Sequence, residues 1–161
     1  MQYLGLWSVS RTQTEKADVS VAMAAGAVYN ASLSQKIESR VVDGRTTFTM
    51  SLPPYDGCYV VISPQPFAKP ELHGKVADKT VSIKIQVNGQ DGKPLGAHPI
   101  DVRIVDAQGD VTPYGGVVGL ADGRGTLAFR LADNDPAGKW AVEAQNLIDG
   151  TVGRMEIDVT K

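Results

Sequence analysis

Hydrophobic and polar residues alternate with a period of two along much of the second half of the chain. In TVSIKIQV, the apolar residues Val81, Ile83, Ile85 and Val87 share one parity. Side chains of a β-strand point alternately to opposite faces, so this alternation predicts strands with one buried and one solvated face. Such strands are typical of antiparallel sheets. The same pattern recurs in IDVRIV, GTLAFRL, KWAVEA and RMEIDV.

Turn sequences separate these predicted strands. They are rich in Gly, which adopts positive φ at no steric cost, and in Asp or Asn, whose side chains bond the nearby backbone. They occur at residues 88–92, 106–110, 122–123, 135–138 and 149–150. Short strands at regular spacing favour an antiparallel β-sandwich, and residues 75–161 have the size of one immunoglobulin-like domain.

The first half is also rich in β signals, although its pattern is less regular. DVSVAM and TTFTMSL alternate, and Asp43-Gly44 is a hairpin signal. CYVVI is a continuous apolar run and LGLW is nearly one, which favours strands covered on both faces. SLSQKIESR offers a short helix as the alternative, but Ile37 is too isolated on its face to favour it.

A proline-rich segment, SPQPFAKPELHG, lies between the two halves. Pro64, Pro66 and Pro70 cannot donate to a sheet ladder and stiffen a connector. We therefore predict an all-β chain of two antiparallel β-sandwich domains, the second immunoglobulin-like. The predicted bounds are 1–66 for the first domain, 67–74 for the linker and 75–161 for the second domain.

Composition excludes several function classes. The 161 residues have a net charge of −2 and contain no basic run, so no nucleic-acid partner is predicted. No apolar run is long enough to cross a bilayer, so no membrane insertion is predicted. The first residues, MQYLGLWSVS, lack the regions of a secretory signal and have the pattern of a strand, which is compatible with a start inside a longer natural protein.

Catalytic and metal-binding motifs are missing from the sequence. Cys58 is the only cysteine and lies in the apolar run GCYVVIS, which favours a small buried residue. His73 and His98, the two histidines, adjoin Gly or Pro in connecting segments. Neither Gly-x-Ser-x-Gly nor His-Glu-x-x-His occurs. We therefore predict no catalytic residue, no cofactor and no metal site, and expect a protein that is not an enzyme.

The stretch LADNDPAGKWAVEA raises two specific possibilities. Asp133 and Asp135 have the spacing of calcium ligands, but Ala137 occupies the next ligand position and no Glu closes the loop, so a structural turn is favoured. Trp140 shares parity with Val142 and is expected to point into the core.

Exposed aromatic residues are the remaining candidates for a binding site, because sugar rings pack on aromatic faces. Tyr55 follows Pro53-Pro54, and Tyr114 lies in the loop TPYGG. Trp7 shares parity with Tyr3 on the predicted first strand, where it is either exposed or directed at a missing upstream domain. Tyr55, Tyr114 and Trp7 are therefore the weak candidates for carbohydrate binding.

Residues 25–64 resemble the C-terminal β-sandwich that follows the catalytic barrel in many glycoside hydrolases, including β-galactosidase-like proteins. The resemblance lies in Val28-Tyr29-Asn30, Leu52-Pro53-Pro54-Tyr55 and Tyr59-Val60-Val61-Ile62, and departs at Asn30, where Asp is commoner. The second half resembles the immunoglobulin-like domains of macroglobulins and of bacterial surface proteins. It does so in Gly92-Lys93-Pro94-Leu95, in Val102–Asp106 with Gly109, in Gly125–Leu131 and in Gly138-Lys139-Trp140-Ala141-Val142.

These resemblances imply a non-catalytic accessory tail of a larger bacterial, carbohydrate-active protein that is extracellular or periplasmic. Its partner would be an upstream catalytic domain of the same polypeptide. The alternative is a carbohydrate-binding module that uses exposed aromatic residues. A third, less favoured alternative is an independent enzyme, which would need two carboxylates across a cleft.

Overall fold

The computed structural model describes residues 1–160 and contains only strands as regular elements in that range. The chain divides into two units, Met1–Pro66 and Phe67–Lys161. The strands of the first unit are β1 (Gln2–Trp7), β2 (Glu15–Val21), β3 (Ala27–Asn30), β4 (Gln35–Ile37), β5 (Arg40–Val42), β6 (Arg45–Leu52) and β7 (Gly57–Ser63). Those of the second are β8 (Glu71–Ala77), β9 (Thr80–Gln86), β10 (His98–Val105), β11 (Gly116–Leu120), β12 (Arg124–Arg130), β13 (Gly138–Asn146) and β14 (Val152–Val159).

The first unit is a β-sandwich of a four-stranded sheet, ordered β1-β7-β3-β4, and a three-stranded sheet, ordered β2-β6-β5. Its core forms where alternate residues of the two sheets meet. Val60 and Ile62 of β7 pack with Phe48 and Met50 of β6, and all four are buried. SLSQKIESR contributes the short strand β4 and no helix, as the isolation of Ile37 predicts.

The second unit is a β-sandwich with the same division into four and three strands. Its sheets are ordered β11-β10-β13-β14 and β12-β9-β8. Every inward residue of TVSIKIQV is buried, and Trp140 on β13 is fully buried, so the alternation predicted both faces correctly. The all-β, antiparallel fold is therefore confirmed. Among the described residues, no helix has the length and apolar character to span a membrane.

The part of the proline-rich segment from Phe67 onward belongs to the second unit. Phe67 is buried and bridges to Gly89, and the backbone N–H of Ala68 donates to the carbonyl of Asn88. Strand β8 begins at Glu71, inside the range 67–74 that the sequence assigned to the linker. Pro64 and Pro66 precede the first backbone contacts of the second unit, at Phe67 and Ala68. Pro70 lies between those contacts and β8.

Candidate functional site

Three large aromatic residues share the outer face of one sheet in the first unit. Strand β1 pairs with β7 so that Tyr3 lies opposite Val61, Gly5 opposite Tyr59 and Trp7 opposite Gly57. Residues that pair directly point to the same side of a sheet, and the opposite parity contributes Val60 and Ile62 to the core. Tyr3, Trp7 and Tyr59 therefore project outward together. We call this set the aromatic face.

The aromatic face is exposed. Trp7, Tyr59 and Tyr3 keep 70 %, 64 % and 51 % of their surface accessible. Along β1, Tyr3 and Trp7 are about 13 Å apart at the usual rise of a strand. Tyr59 lies between their levels on the neighbouring strand. The partial burial of Tyr3 raises the pKa of its hydroxyl group.

Two glycines shape this face. The six-membered ring of Trp7 lies over Gly57, where a Cβ would collide with it. A Cβ at Gly5 would meet nothing within 4 Å. An aromatic ring placed over a cross-strand glycine stabilises an edge strand, and this placement also holds the indole in one position. The open space at Gly5 separates Tyr3 from Trp7 and lies opposite Tyr59.

The exposure of Tyr59 was missed by sequence reasoning. The continuous run CYVVI predicts a strand covered on both faces, and Val61 on the outer parity is indeed buried. Tyr59, on the same parity, is exposed. The coverage of this face therefore changes along β7, which a period-two pattern cannot reveal. The signal that identifies Tyr59 is its pairing opposite Gly5, which requires the structure.

Tyr55 lies in the turn that leads into β7. The residue has left-handed backbone geometry, with φ of 56°, and is 68 % exposed. Its N–H donates to the carbonyl of Ser10, and the N–H of Ser8 donates to the carbonyl of Asp56. The turn is thereby attached to the segment after β1, at the same end of the sheet as Trp7.

Tyr114, selected from the sequence as an exposed loop residue, is partly buried in the second unit. Its ring stacks on Phe129 with 4.4 Å between centroids and 10° between planes. Its hydroxyl donates to Asp135 Oδ2 at 2.7 Å, and this hydrogen bond is the main cause that raises the pKa of Tyr114. One ring face is therefore occupied and the hydroxyl is engaged inside the protein.

The acidic turn in LADNDPAGKW has a structural role. The Asp135 carboxylate accepts the N–H of Ala132 at 2.7 Å as well as the Tyr114 hydroxyl. The indole N–H of Trp140 donates to the carbonyl of Pro136 at 2.9 Å. Asp133 instead pairs with Lys79 at 2.6 Å, and that hydrogen bond lowers the pKa of its carboxyl group. The prediction that Trp140 points into the core is confirmed.

A groove of about 1020 Å³ lies in the first unit beside β4 and the segment that crosses to β5. Phe48 and Ile37 contribute apolar surface to it, whereas Lys36 and Glu38 contribute charges of opposite sign. Asp18 also lines the groove, and its carboxylate accepts the hydroxyl of Thr49 at 2.7 Å. With Arg40, the lining has two acidic and two basic side chains, so the groove favours neither an anionic nor a cationic ligand.

The single cysteine and one histidine are both buried. Cys58 packs in the core of the first unit, as predicted, and burial together with the Asp56 carboxylate raises the pKa of its thiol. His98 is buried against the ring of Phe67, and burial lowers its pKa. Neither residue lines the aromatic face. Among residues 1–160, no group of three or more His, Cys, Asp or Glu side chains could hold a metal ion.

No protein-family model and no curated protein matches the chain. Solved structures similar to it include β-glucuronidase from Ruminococcus gnavus with uronic isofagomine, at 10 % identity and a TM-score of 0.36, covering 99 % of this chain and 34 % of that one. The apo form of that enzyme is similar at 10 % identity and a TM-score of 0.35, and the match covers 99 % of this chain and 35 % of the enzyme. The chain thus spans about a third of the length of these glycoside hydrolases.

Proposed function

We propose that the chain is a non-catalytic accessory segment of a larger, carbohydrate-active protein, and that the aromatic face is its interaction surface. The observation that supports this is the exposure of Tyr3, Trp7 and Tyr59 on one side of one sheet. Aromatic residues are enriched at binding surfaces because they offer a large, rigid contact area. Two of the three segments that carry the resemblance to glycosidase tails lie in β3 and β7, which belong to the same sheet.

The first candidate partner is an upstream catalytic domain of the same polypeptide. Strand β1 carries two of the three aromatic residues and is the first strand of the chain. A preceding domain would therefore join next to this face. Burying Trp7 and Tyr59 against it would remove an apolar patch from water, which favours association. The two sandwiches, the second immunoglobulin-like by its strand spacing and sequence resemblance, would act as a spacer or support.

The second candidate partner is a glycan, and the position of the Trp7 indole favours it. A ring held over Gly57 and exposed to solvent is a preformed surface for the C–H groups of a pyranose. The open space at Gly5 would admit a sugar ring between Trp7 and Tyr3. In that case the chain itself would be a carbohydrate-binding module.

A glycan array with the purified chain separates the two candidates. The module predicts reproducible binding that Trp7→Ala and Tyr59→Ala abolish. Tyr55→Ala, at similar exposure in the adjacent turn, tests the other aromatic candidate of this unit. If no glycan binds, the packing role predicts that Trp7→Ala weakens association with the domain encoded upstream. Unchanged association together with a silent array would refute the aromatic face as an interaction surface.

The non-catalytic part of the proposal has its own test. The purified chain should leave aryl glycosides of common sugars intact, because a glycosidase needs an acid and a second carboxylate at a fixed separation across a bound sugar. Turnover that survives repeated purification and disappears in Asp18→Asn or Glu38→Gln would contradict it. Those substitutions are chosen because both carboxylates line the groove of the first unit.

A further inference from the structure

Cationic side chains are concentrated on the outer face of the three-stranded sheet in the second unit. The inward residues of β9 are Val81, Ile83 and Ile85, so Lys84 points outward. The register places His73 of β8 and Thr126 of β12 directly beside Lys84. In the next row, Arg124 and Glu71 lie on either side of Gln86. We call this surface the basic face.

The charges on the basic face have mainly one sign. Its cations are Lys75, Lys84, Arg124 and Arg130, and its one acid is Glu71, although the whole chain has a net charge of −2. Within the described residues, the ion pairs of the second unit involve other lysines and arginines. Arg130 lies near Asp133 at one end of the sheet. Lys75, Lys84 and Arg124 are therefore available to an anion from outside.

The three available cations follow a diagonal across the sheet. Lys75 on β8 lies one row from Lys84 on the central strand β9. Arg124 on β12 lies one row further in the same direction. Diagonal neighbours of this kind are about 7–8 Å apart. A depression of about 400 Å³ lies at the Lys84–Arg124 part of this diagonal, where His73 also lines it, and Lys75 lies outside it. Its volume is within the range of small-ligand sites.

Between the cations, the outward residues are small or uncharged. Ser82, Ala128 and Thr126 separate the long side chains, so the face offers hydroxyl groups and no Phe, Tyr or Trp ring, with the His73 imidazole as its one aromatic group. Single-stranded nucleic acid is normally held by aromatic stacking in addition to charge. A polymer with carboxylates at regular intervals and many hydroxyl groups matches this surface better, because charge and hydrogen bonding are what it provides.

We propose that the basic face binds the carboxylates of an acidic polysaccharide, with Lys84 and Arg124 as the principal contacts and His73 and Lys75 beside them. The choice of a glycan over other polyanions rests on the proposed carbohydrate-active role, whereas the anion preference rests on the basic face alone. A linear scan for basic runs misses this surface, because its cations come from alternate positions of three strands.

The test measures binding of the full chain to polygalacturonate and to its methyl ester, which has the same backbone without the charges. We expect binding to the acid form only, and progressive loss as salt screens the exposed charges. Lys84→Gln combined with Arg124→Gln should weaken binding about tenfold, as removal of two exposed charge contacts implies. The matched control, Lys93→Gln combined with Arg103→Gln, removes the same charge elsewhere in this unit and should bind as the parent does.

Three results would overturn the proposal: equal binding of the methyl ester, equal binding by the Lys84/Arg124 variant, or tighter binding of single-stranded DNA of matched charge. The last would assign the face to nucleic acid. Trp7→Ala, measured in the same assay, keeps the two hypotheses separate. If the aromatic face binds nothing, binding of polygalacturonate by the basic face is still expected. If the basic face binds no polygalacturonate, any binding of neutral glycans by the aromatic face is unaffected.

Discussion

Trp7 and Trp140, the two tryptophans of the chain, show how the two units differ. Trp140 is fully buried and its N–H is bonded, whereas Trp7 is 70 % exposed on an outer sheet face. The same contrast holds for other side chains. Of the ten large hydrophobic residues that are exposed among residues 1–160, eight belong to the first unit. In the second unit Phe67 and Trp140 are buried and Tyr114 and Phe129 are partly buried, whereas four aromatic residues of the first unit, Tyr3, Trp7, Tyr55 and Tyr59, are exposed.

The difference arises from what each unit provides to cover an aromatic ring. In the second unit, Tyr114 stacks on Phe129 and lies within 6.2 Å of Trp140, and the Asp135 turn closes over the group. In the first unit, Trp7 lies on Gly57 of the adjacent strand and is mostly exposed. A ring enclosed by neighbours contributes to stability. A ring on an open face contributes little to stability, and binding is the role proposed for it.

The largest expected effect separates the two tryptophans. Trp140→Ala should lower the free energy of unfolding of the second unit by about 3–5 kcal/mol, since it removes a large buried side chain and leaves a cavity. Trp7→Ala should lower that of the first unit by less than about 1 kcal/mol, because most of the indole is already in water. Chemical denaturation monitored by circular dichroism measures both.

The two substitutions also serve as controls for each other. Each unit contains one tryptophan, so the variant that lacks one reports the other unit by fluorescence. If Trp7→Ala and Trp140→Ala lower the free energy of unfolding equally, the distinction between an exposed binding ring and a core ring is wrong. Unfolding of the two units in separate steps is expected, and each step must then be analysed on its own.

A smaller effect is expected from removing the Tyr114 hydroxyl. Tyr114→Phe keeps the ring stacked on Phe129 and loses the hydrogen bond to Asp135, which should cost about 1–2 kcal/mol. Tyr55→Phe should change the free energy of unfolding by a few tenths of a kcal/mol at most, since Tyr55 is 68 % exposed. Thermal or urea denaturation tests this, and an equal loss in both variants would contradict a structural role for Tyr114.

Much of the second unit could be predicted from its sequence. Strands β9, β10 and β12 follow alternating segments, because each has one face in the core and one in water. Strands β8 and β11 were not predicted. ELHGKVA and GVVGL contain glycine and lack strict alternation, so only pairing with their neighbours identifies them as strands.

The candidate sites were less predictable, because they depend on register. Parity places Tyr3 and Trp7 on one face, but only the pairing of β1 with β7 adds Tyr59 to it. Position in a loop suggested that Tyr114 is exposed, whereas the Asp135 side chain, 21 residues away, engages it. The basic face likewise combines residues from three strands. Sequence periodicity determines which side a residue faces, but not its neighbours across the sheet.

Acid should affect the second unit before the first, because both histidines lie in the second. Burial is the largest cause and lowers the pKa of His98 from its usual value of 6.5, although the backbone of Gly96 and Leu95 and the Asp149 carboxylate act in the opposite direction. The unfolded chain therefore binds a proton more readily than the folded one just below pH 6.5. Stability is fully present above that pH and is lost as pH falls through the lower, folded-state value.

The measurement is the free energy of unfolding between pH 7.5 and about 5, a window that spans the usual pKa of histidine. Trp140 fluorescence reports the second unit. His98→Leu should flatten the dependence, whereas His73→Leu, at an exposed position, should leave it unchanged. A slope that persists in His98→Leu would show that another group is responsible. The first unit, monitored through Trp7, should show little change over the same range.

The smallest expected effect on stability concerns the exposed tryptophan, Trp7, of the first unit. Gly57→Ala introduces a Cβ where the Trp7 ring now lies, so the indole must move away from the sheet. Because that ring is mostly exposed, the first unit should lose less than about 1 kcal/mol. The Trp7 emission should nevertheless shift, and any binding by the aromatic face should weaken. Gly5→Ala is the matched control, since its Cβ would meet nothing within 4 Å. If Gly57→Ala unfolds the unit, the ring of Trp7 is part of the fold and not a surface held ready for a partner.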